Sequence, residues 1–320
     1  MSVRIAVLDD YQRVAPTMAD WSGPLPDTAV TFFDRHIADE AELIAALDPF
    51  EVIVAMRERT AFPRAVLEKL PRLRLLVTTG MRNAAIDFAA AADLGVTVCG
   101  TRTYEPGTAE LTWALILGLF RDVAADDARM RTGGWQATVA GDLDGEILGV
   151  VGMGRLGARV ARIGAAFGMD VVAWSPSLTA ERAAEHGARL VGKADLFATA
   201  KVVTVHVALN DGSRGLIGAP ELGAMRDDAY LVNTSRFPLI DAEALRTALT
   251  TTERPAGLAL DVYEIEPLPA DHWLRTAPRT LLSPHMGYVT ANTYRLFYGD
   301  AVDDIAAYLA DPSAPLRPLG

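Results

Sequence analysis

Short apolar runs alternate with stretches of helical period along nearly the whole chain. Arg4 to Leu8, Val30 to Phe33, Val52 to Ala55, Leu73 to Thr78 and Val96 to Cys99 read as strands, while Ala41 to Leu47 and Arg64 to Leu70 space their apolar residues as helices do. Strands alternating with helices predict a parallel sheet. The pattern changes at Pro106, where Gly107 to Leu119 is mostly apolar over a helical length and needs a partner surface, another subunit being one candidate. A second alternating series follows. Its strands are expected at Ile147 to Val151, Asp170 to Trp174, Val202 to His206, Tyr230 to Asn233 and Gly257 to Asp261, with helices at Ala158 to Phe167 and near Thr179 to His186. The last helix, Tyr288 to Ala310, is expected to return to the first domain.

Between the first strand and helix of the second series lies Gly152-Met153-Gly154-Arg155-Leu156-Gly157, a G-x-G-x-x-G turn. Each glycine answers a separate need: Gly152 the tight turn, Gly154 the close approach of backbone to a pyrophosphate, Gly157 the packing of helix on strand. Such a turn alone is weak evidence; inside a βαβ unit it predicts a doubly wound dinucleotide-binding sheet whose ligand lies past the carboxyl ends of the strands. The expected division is 1–100 plus 289–320 for one domain and 101–288 for the dinucleotide-binding one. Where such folds carry an acidic residue for the ribose hydroxyls, this chain has Ser175, with no Arg or Lys immediately after it, which leaves NAD and NADP both open.

Composition narrows the classes. With 320 residues, half of them hydrophobic, there is material for two cores, yet charges interrupt every run before the roughly eighteen residues a membrane helix needs. The N-terminal apolar run is too short for a signal segment and reads as a strand. A net charge of -11 without a basic block argues against nucleic acid. One cysteine, Cys99, allows no intrachain disulfide and fits a cytoplasmic protein. His36, His186 and His272 lie in separate segments without metal-ligand spacing, so no metal is expected.

Strand ends of the second domain deliver His206, Thr234-Ser235-Arg236, Asp261 and Ser283-Pro284-His285 towards one edge. Arg236, Glu266 and His285 make a plausible set for hydride chemistry on a keto acid. A guanidinium holds a carboxylate and polarises a carbonyl, a histidine supplies the proton, and a carboxylate beside it favours the protonated ring. Taken singly, each has a plainer reading as a solvated arginine, a surface charge or a structural histidine.

Together with their flanks they resemble the D-isomer-specific 2-hydroxyacid dehydrogenases. The resemblance is carried by Leu148 to Gly157, Val203-Thr204-Val205-His206, Leu231-Val232-Asn233-Thr234-Ser235-Arg236, Leu260 to Pro267 and Ser283 to Gly287, in that order. It implies two Rossmann-like α/β domains, the dinucleotide-binding one inserted in a flavodoxin-like substrate domain. It further implies an NAD- or NADP-dependent oxidoreductase that interconverts small anionic 2-keto and D-2-hydroxy acids. Arg236 would bind the substrate carboxylate and carbonyl, His285 would be the acid/base and Glu266 its partner. The cofactor side would include Thr108, the fingerprint residues 152–157, Ser175, His206, Val207, Thr234, Ser235, Asp261 (facing the carboxamide) and Gly287. Thr79, Gly80 and Met81 would line the substrate from the first domain. Arg57, which follows a first-domain strand, could add a second anion contact, although a solvated loop charge is the favoured reading. The helix from Thr108 to Leu119 and the segment Arg131 to Trp135 resemble the family's dimer surface, implying a homodimer. Three departures stand out: Phe237 follows Arg236 where the family generally has glycine, implying either backbone strain or a ring that walls the site; Ala208 replaces a frequent proline and should slightly loosen its loop; and Ser175 stands in place of the usual acidic residue. Alternatives are a dehydrogenase of another small anion, such as a phosphonate- or phosphate-bearing keto acid, and a corepressor-like protein that senses dinucleotide without turnover.

Overall fold

The computed structural model describes residues 2–104 and 106–319. Two compact units divide the chain, Met1–Tyr104 with Val289–Gly320 and Glu105–Tyr288. The first unit therefore runs on to Tyr104 instead of ending at residue 100, because Thr101 is tied back to it: its hydroxyl accepts from the Gly80 amide at 2.7 Å.

In the first unit β1 (Val3–Val7), β2 (Thr28–Phe32), β3 (Val52–Ala55), β4 (Leu75–Thr78) and β5 (Thr97–Gly100) form one parallel sheet in the order β2-β1-β3-β4-β5. This is the flavodoxin-like order. Every residue of β3 and β4 is buried, as the uninterrupted apolar runs require of central parallel strands. Helices α1 (Ala15–Met18), α2 (Glu40–Leu47), α3 (Arg64–Leu67) and α4 (Phe88–Asp93) connect them. Asp39 and Asp87 cap α2 and α4 by accepting from Glu42 N and Ala90 N.

The second unit begins with α5 (Pro106–Phe120) and α6 (Val123–Arg131), then β6 (Ile147–Val151), α7 (Arg155–Ala166), β7 (Asp170–Trp174), α8 (Ala180–Ala184), β8 (Arg189–Leu190), α9 (Lys193–Thr199) and β9 (Val202–Val205). It closes with α10 (Ala219–Ala224), β10 (Tyr230–Asn233), α11 (Ala242–Thr247), β11 (Gly257–Leu260) and β12 (Thr280–Leu282). The sheet is parallel, ordered β12-β11-β10-β9-β6-β7-β8, so the direction of winding reverses between β6 and β9. Two core layers flank it. One joins Trp113, Val160 and Ala183 from α5, α7 and α8; the other joins Phe197, Leu222 and Leu245 from α9, α10 and α11. The apolar helix α5 finds its partner surface within its own unit: Trp113, Leu115 and Ile116 are buried, and Trp113 Nε1 donates to Val160 O at 3.2 Å. Helix α7 starts at Arg155, ahead of the expected Ala158, because the turn ends at Gly154 and Gly157 already belongs to the first helical turn. From there the chain returns to the first unit as α12 (Ala291–Ala310), which packs against α1 and β4.

Candidate active site

The fingerprint turn sits where the winding reverses. Gly152 has φ +100°, its amide donates to Trp174 O at 2.8 Å, and a Cβ there would lie 2.7 Å from the His206 carbonyl carbon. A side chain on Gly157 would collide with the Gly152 carbonyl oxygen. Gly154 differs: nothing lies within 4 Å of where its Cβ would be, so the approach from solvent is clear. Behind it the first-turn amides of Arg155, Leu156 and Gly157 lack intrahelical acceptors and point along the positive end of α7. A bare approach in front of free donors is what a pyrophosphate needs, so these residues fit a dinucleotide. Met153 is buried beneath the turn.

Neighbouring strand ends add polar groups. His206 follows β9; Thr204 Oγ1 lies 2.9 Å from its Nε2, and burial pushes its imidazole down to about 4. Ser235 Oγ donates to Val207 O at 2.7 Å, linking the β9 and β10 ends. Thr234 Oγ1 is 2.8 Å from Thr112 Oγ1, and Thr108 Oγ1 donates to Gly287 O at 3.0 Å, so α5 helps to hold both loops. The loop after His206, expected to be loosened by Ala208, is instead pinned: Ser213 Oγ donates to Ala208 O and accepts from Asn210 N, both at 2.8 Å. Ser175 ends the β7 region, half-buried.

The densest network surrounds His285. Its Nδ1 lies 2.5 Å from Glu266 Oε2, while Glu266 Oε1 accepts from Tyr263 N at 2.8 Å, so both carboxylate oxygens are engaged. His285 has φ +55°, an uncommon backbone for a non-glycine residue. Asp261, 1 % exposed, holds that turn in place. Its Oδ1 accepts from Ser283 Oγ at 2.6 Å and Met286 N at 2.7 Å, and its Oδ2 from Gly287 N at 2.8 Å. Burial raises the pKa of Asp261, opposed by these hydrogen bonds and by His285. Asp261 thus organises the His285 loop. Tyr263 and Tyr288 went unnoticed in the sequence: the Tyr263 hydroxyl donates to Ser283 O at 2.8 Å, and the Tyr288 ring meets the imidazole edge-on at 5.3 Å. No local pattern marks either, since Tyr263 acts across twenty residues of chain.

Arg236 leaves β10 in extended backbone, φ -145°, and its Nη1 donates to Ser235 O at 2.8 Å. Asn233 braces the turn, accepting from Ser235 N at 2.9 Å and donating to Arg236 O at 3.0 Å. The strain expected at Phe237 is absent. That residue opens a short 3-10 turn, Phe237–Leu239, outside the left-handed region, and its ring is 2 % exposed in the core against the α9 to α11 layer, so it does not wall the site.

In the first unit, Arg57 departs from the solvated charge expected of it. It is left-handed, φ +52°, with a side chain 17 % exposed. Arg57 N donates to Thr79 Oγ1 at 2.9 Å and Nη1 to Thr79 O at 3.1 Å, while Asn83 Nδ2 donates to Arg57 O at 2.7 Å. The guanidinium lies over Gly80, φ +90°, where any side chain would meet it. Met81 is half-buried beside it. Among the described residues no group of three or more His, Cys, Asp or Glu is placed to hold a metal ion, and no helix is long and apolar enough to cross a membrane.

Comparison with known proteins agrees with this geometry. Residues 113–287 match the model for the NAD binding domain of the D-isomer specific 2-hydroxyacid dehydrogenases. The glyoxylate reductase of Aeropyrum pernix is 37% identical over 253 residues, 76% of this chain and 75% of that protein. The D-3-phosphoglycerate dehydrogenase of Methanocaldococcus jannaschii is 34% identical over 78% of this chain, which spans only 48% of that enzyme's length. The crystal structure of a phosphoglycerate oxidoreductase from Vibrio cholerae superposes with a TM-score of 0.91 at 35% identity, covering 96% of this chain and 99% of that one. On this fold, this fingerprint and these relatives, the chain belongs to the D-isomer-specific 2-hydroxyacid dehydrogenases, oxidoreductases that use an NAD-type dinucleotide.

Proposed function

We propose that the protein reduces a small 2-keto acid to its D-2-hydroxy acid, with His285 as acid/base, Glu266 as its partner and Arg236 as the carboxylate and carbonyl ligand. The observation that carries the reading is the 2.5 Å contact between Glu266 and His285, on a loop that Asp261 pins at the same edge as the dinucleotide turn. A nicotinamide dinucleotide held by the 152–157 turn would supply hydride chemistry at the carbonyl carbon. His285 then has to deliver one proton to the carbonyl oxygen, and Glu266 holds the ring by one nitrogen so that the other is directed at substrate. Arg236 presents a planar donor fork that neutralises the substrate carboxylate and draws charge onto the carbonyl oxygen as hydride arrives. Arg57, Thr79, Gly80 and Met81 are the first unit's substrate-binding element in this reading. The assembly is a cytoplasmic homodimer.

The test is initial-rate oxidation of NADH and NADPH with glyoxylate, hydroxypyruvate, pyruvate and phenylpyruvate, with chiral analysis of the product. Turnover to a D-hydroxy acid is expected, with kcat lower by on the order of a hundredfold or more in His285→Ala. Arg236→Lys should raise KM and lower kcat together, because an ammonium cannot form the fork. Wild-type rates in His285→Ala would remove the assignment.

A further inference from the structure

Beside the fingerprint turn, a groove of 440 Å³ runs from Gly154 between α7 and α8. Arg155, Arg159 and Arg162 of α7 line it, with Arg182 of α8 and His186 opposite, and no carboxylate contributes to the lining. The three α7 arginines recur at helical spacing, so they share one face. Arg159, Arg162 and Arg182 make no side-chain ion pair or hydrogen bond among the described residues. Arg226, by contrast, is neutralised by Asp228 and Glu146. Concentrating the charge of Arg159, Arg162 and Arg182 in one concavity whose lining holds no carboxylate is unfavourable on its own and favours capture of a multiply charged anion. The positive end of α7 adds to the same field.

The place of the groove says which anion. Gly154 borders both the pyrophosphate approach and the groove, and the next strand end, Ser175, lacks the carboxylate that would accept ribose hydroxyls and repel a phosphate ester. The residues directly after Ser175 are not basic, so the clamp is assembled in space from two helices. Thr179 caps α8, its hydroxyl accepting from Arg182 N at 3.3 Å, which fixes Arg182 in the first turn of that helix. We propose that the arginine groove binds the 2′-phosphate of the dinucleotide, with Arg159 and Arg182 as its principal ligands, so that NADP(H) is the preferred cofactor of this protein. The inference rests on the dinucleotide reading of the turn and extends it to the part of the ligand that the turn itself does not distinguish.

Calorimetric titration of the full chain separates the possibilities. The ligands are adenosine 2′,5′-bisphosphate, its 3′,5′ isomer of equal charge, and adenosine 5′-monophosphate. The 2′,5′ isomer is expected to bind roughly tenfold or more tightly than either other ligand, and Arg159→Ala and Arg182→Ala should each remove most of that margin. In turnover, the ratio of kcat/KM for NADPH to that for NADH should fall by a similar factor in both variants. Equal binding of the two isomers overturns the proposal, as does a 2′ preference that survives both substitutions. If no nucleotide binds, the dinucleotide reading falls with it. A 2′ preference without turnover of any keto acid would leave this inference standing and remove the reductase reading instead.

Discussion

Phe237 shows how a residue's meaning depends on backbone that sequence does not display. Beside a family glycine it implied strain or a ring walling the site; its actual φ lies outside the left-handed region and its ring is buried in the core cluster that also holds Val205, Ile217 and Leu239. Restoring glycine should therefore destabilise the protein, by about 3–5 kcal/mol for loss of a buried aromatic ring, with a further cost for backbone freedom. Urea unfolding of Phe237→Gly measures this, and a variant as stable as the parent would mean that the ring carries little packing energy. The identity of the site residues was legible because Arg236, Glu266 and His285 sit in short motifs with strong flanks. Their supports were not. Asp261, Ser283 and Tyr263 converge across some twenty residues of chain through hydrogen bonds that no local spacing encodes. Arg57 was misread for the same reason: Thr79 and Asn83, its partners, belong to a different loop.

At the scale of elements, strands with long apolar runs were readable and marginal ones were not. β3, β7 and β10 fall where the pattern puts them. β8 has two residues, β12 has three that are only half-buried, and α6 buries none, so each lacks the hydrophobic contrast on which periodicity depends. The turn from β6 into α7 divides its labour among three glycines, and substitution can separate them. Gly154→Ala has open space and an extended backbone, so the unliganded protein should melt within about 2 °C of the parent. Its methyl group would stand in the pyrophosphate approach, however, and weaken dinucleotide binding by about tenfold or more. Gly157→Ala should lower the melting temperature outright, because its methyl group would strike the Gly152 carbonyl. Thermal melts with and without NADPH distinguish the two; equal melting of both variants without ligand would contradict the division.

For the molecule as a whole, acid is the condition to which the structure commits itself most clearly. His206 is held down to about 4 by burial, against 6.5 for the free side chain. Above about 6.5 the ring is neutral folded or unfolded and pH has no leverage through it. Between 6.5 and about 4 only the unfolded chain takes up the proton, so stability is lost as pH falls through that window. The 41 carboxylates titrate in parent and variant alike, so the comparison isolates the imidazole. The fall in melting temperature from pH 7 to 4.5 should be smaller in His206→Gln; an identical fall would show that this ring does not set acid sensitivity. The discontinuity of the first unit has a consequence of another kind, in the order in which a ribosome delivers the parts. Helix α12 buries Tyr294, Phe297, Tyr298 and Ile305 as it packs on α1 and β4, yet it is made only after the whole inserted unit. At roughly 5–20 residues per second that interval lasts on the order of ten to forty seconds. During it the earliest strands wait with an apolar face uncovered while the contiguous dinucleotide-binding unit can already close, so the unit whose translation starts first is the one that matures last.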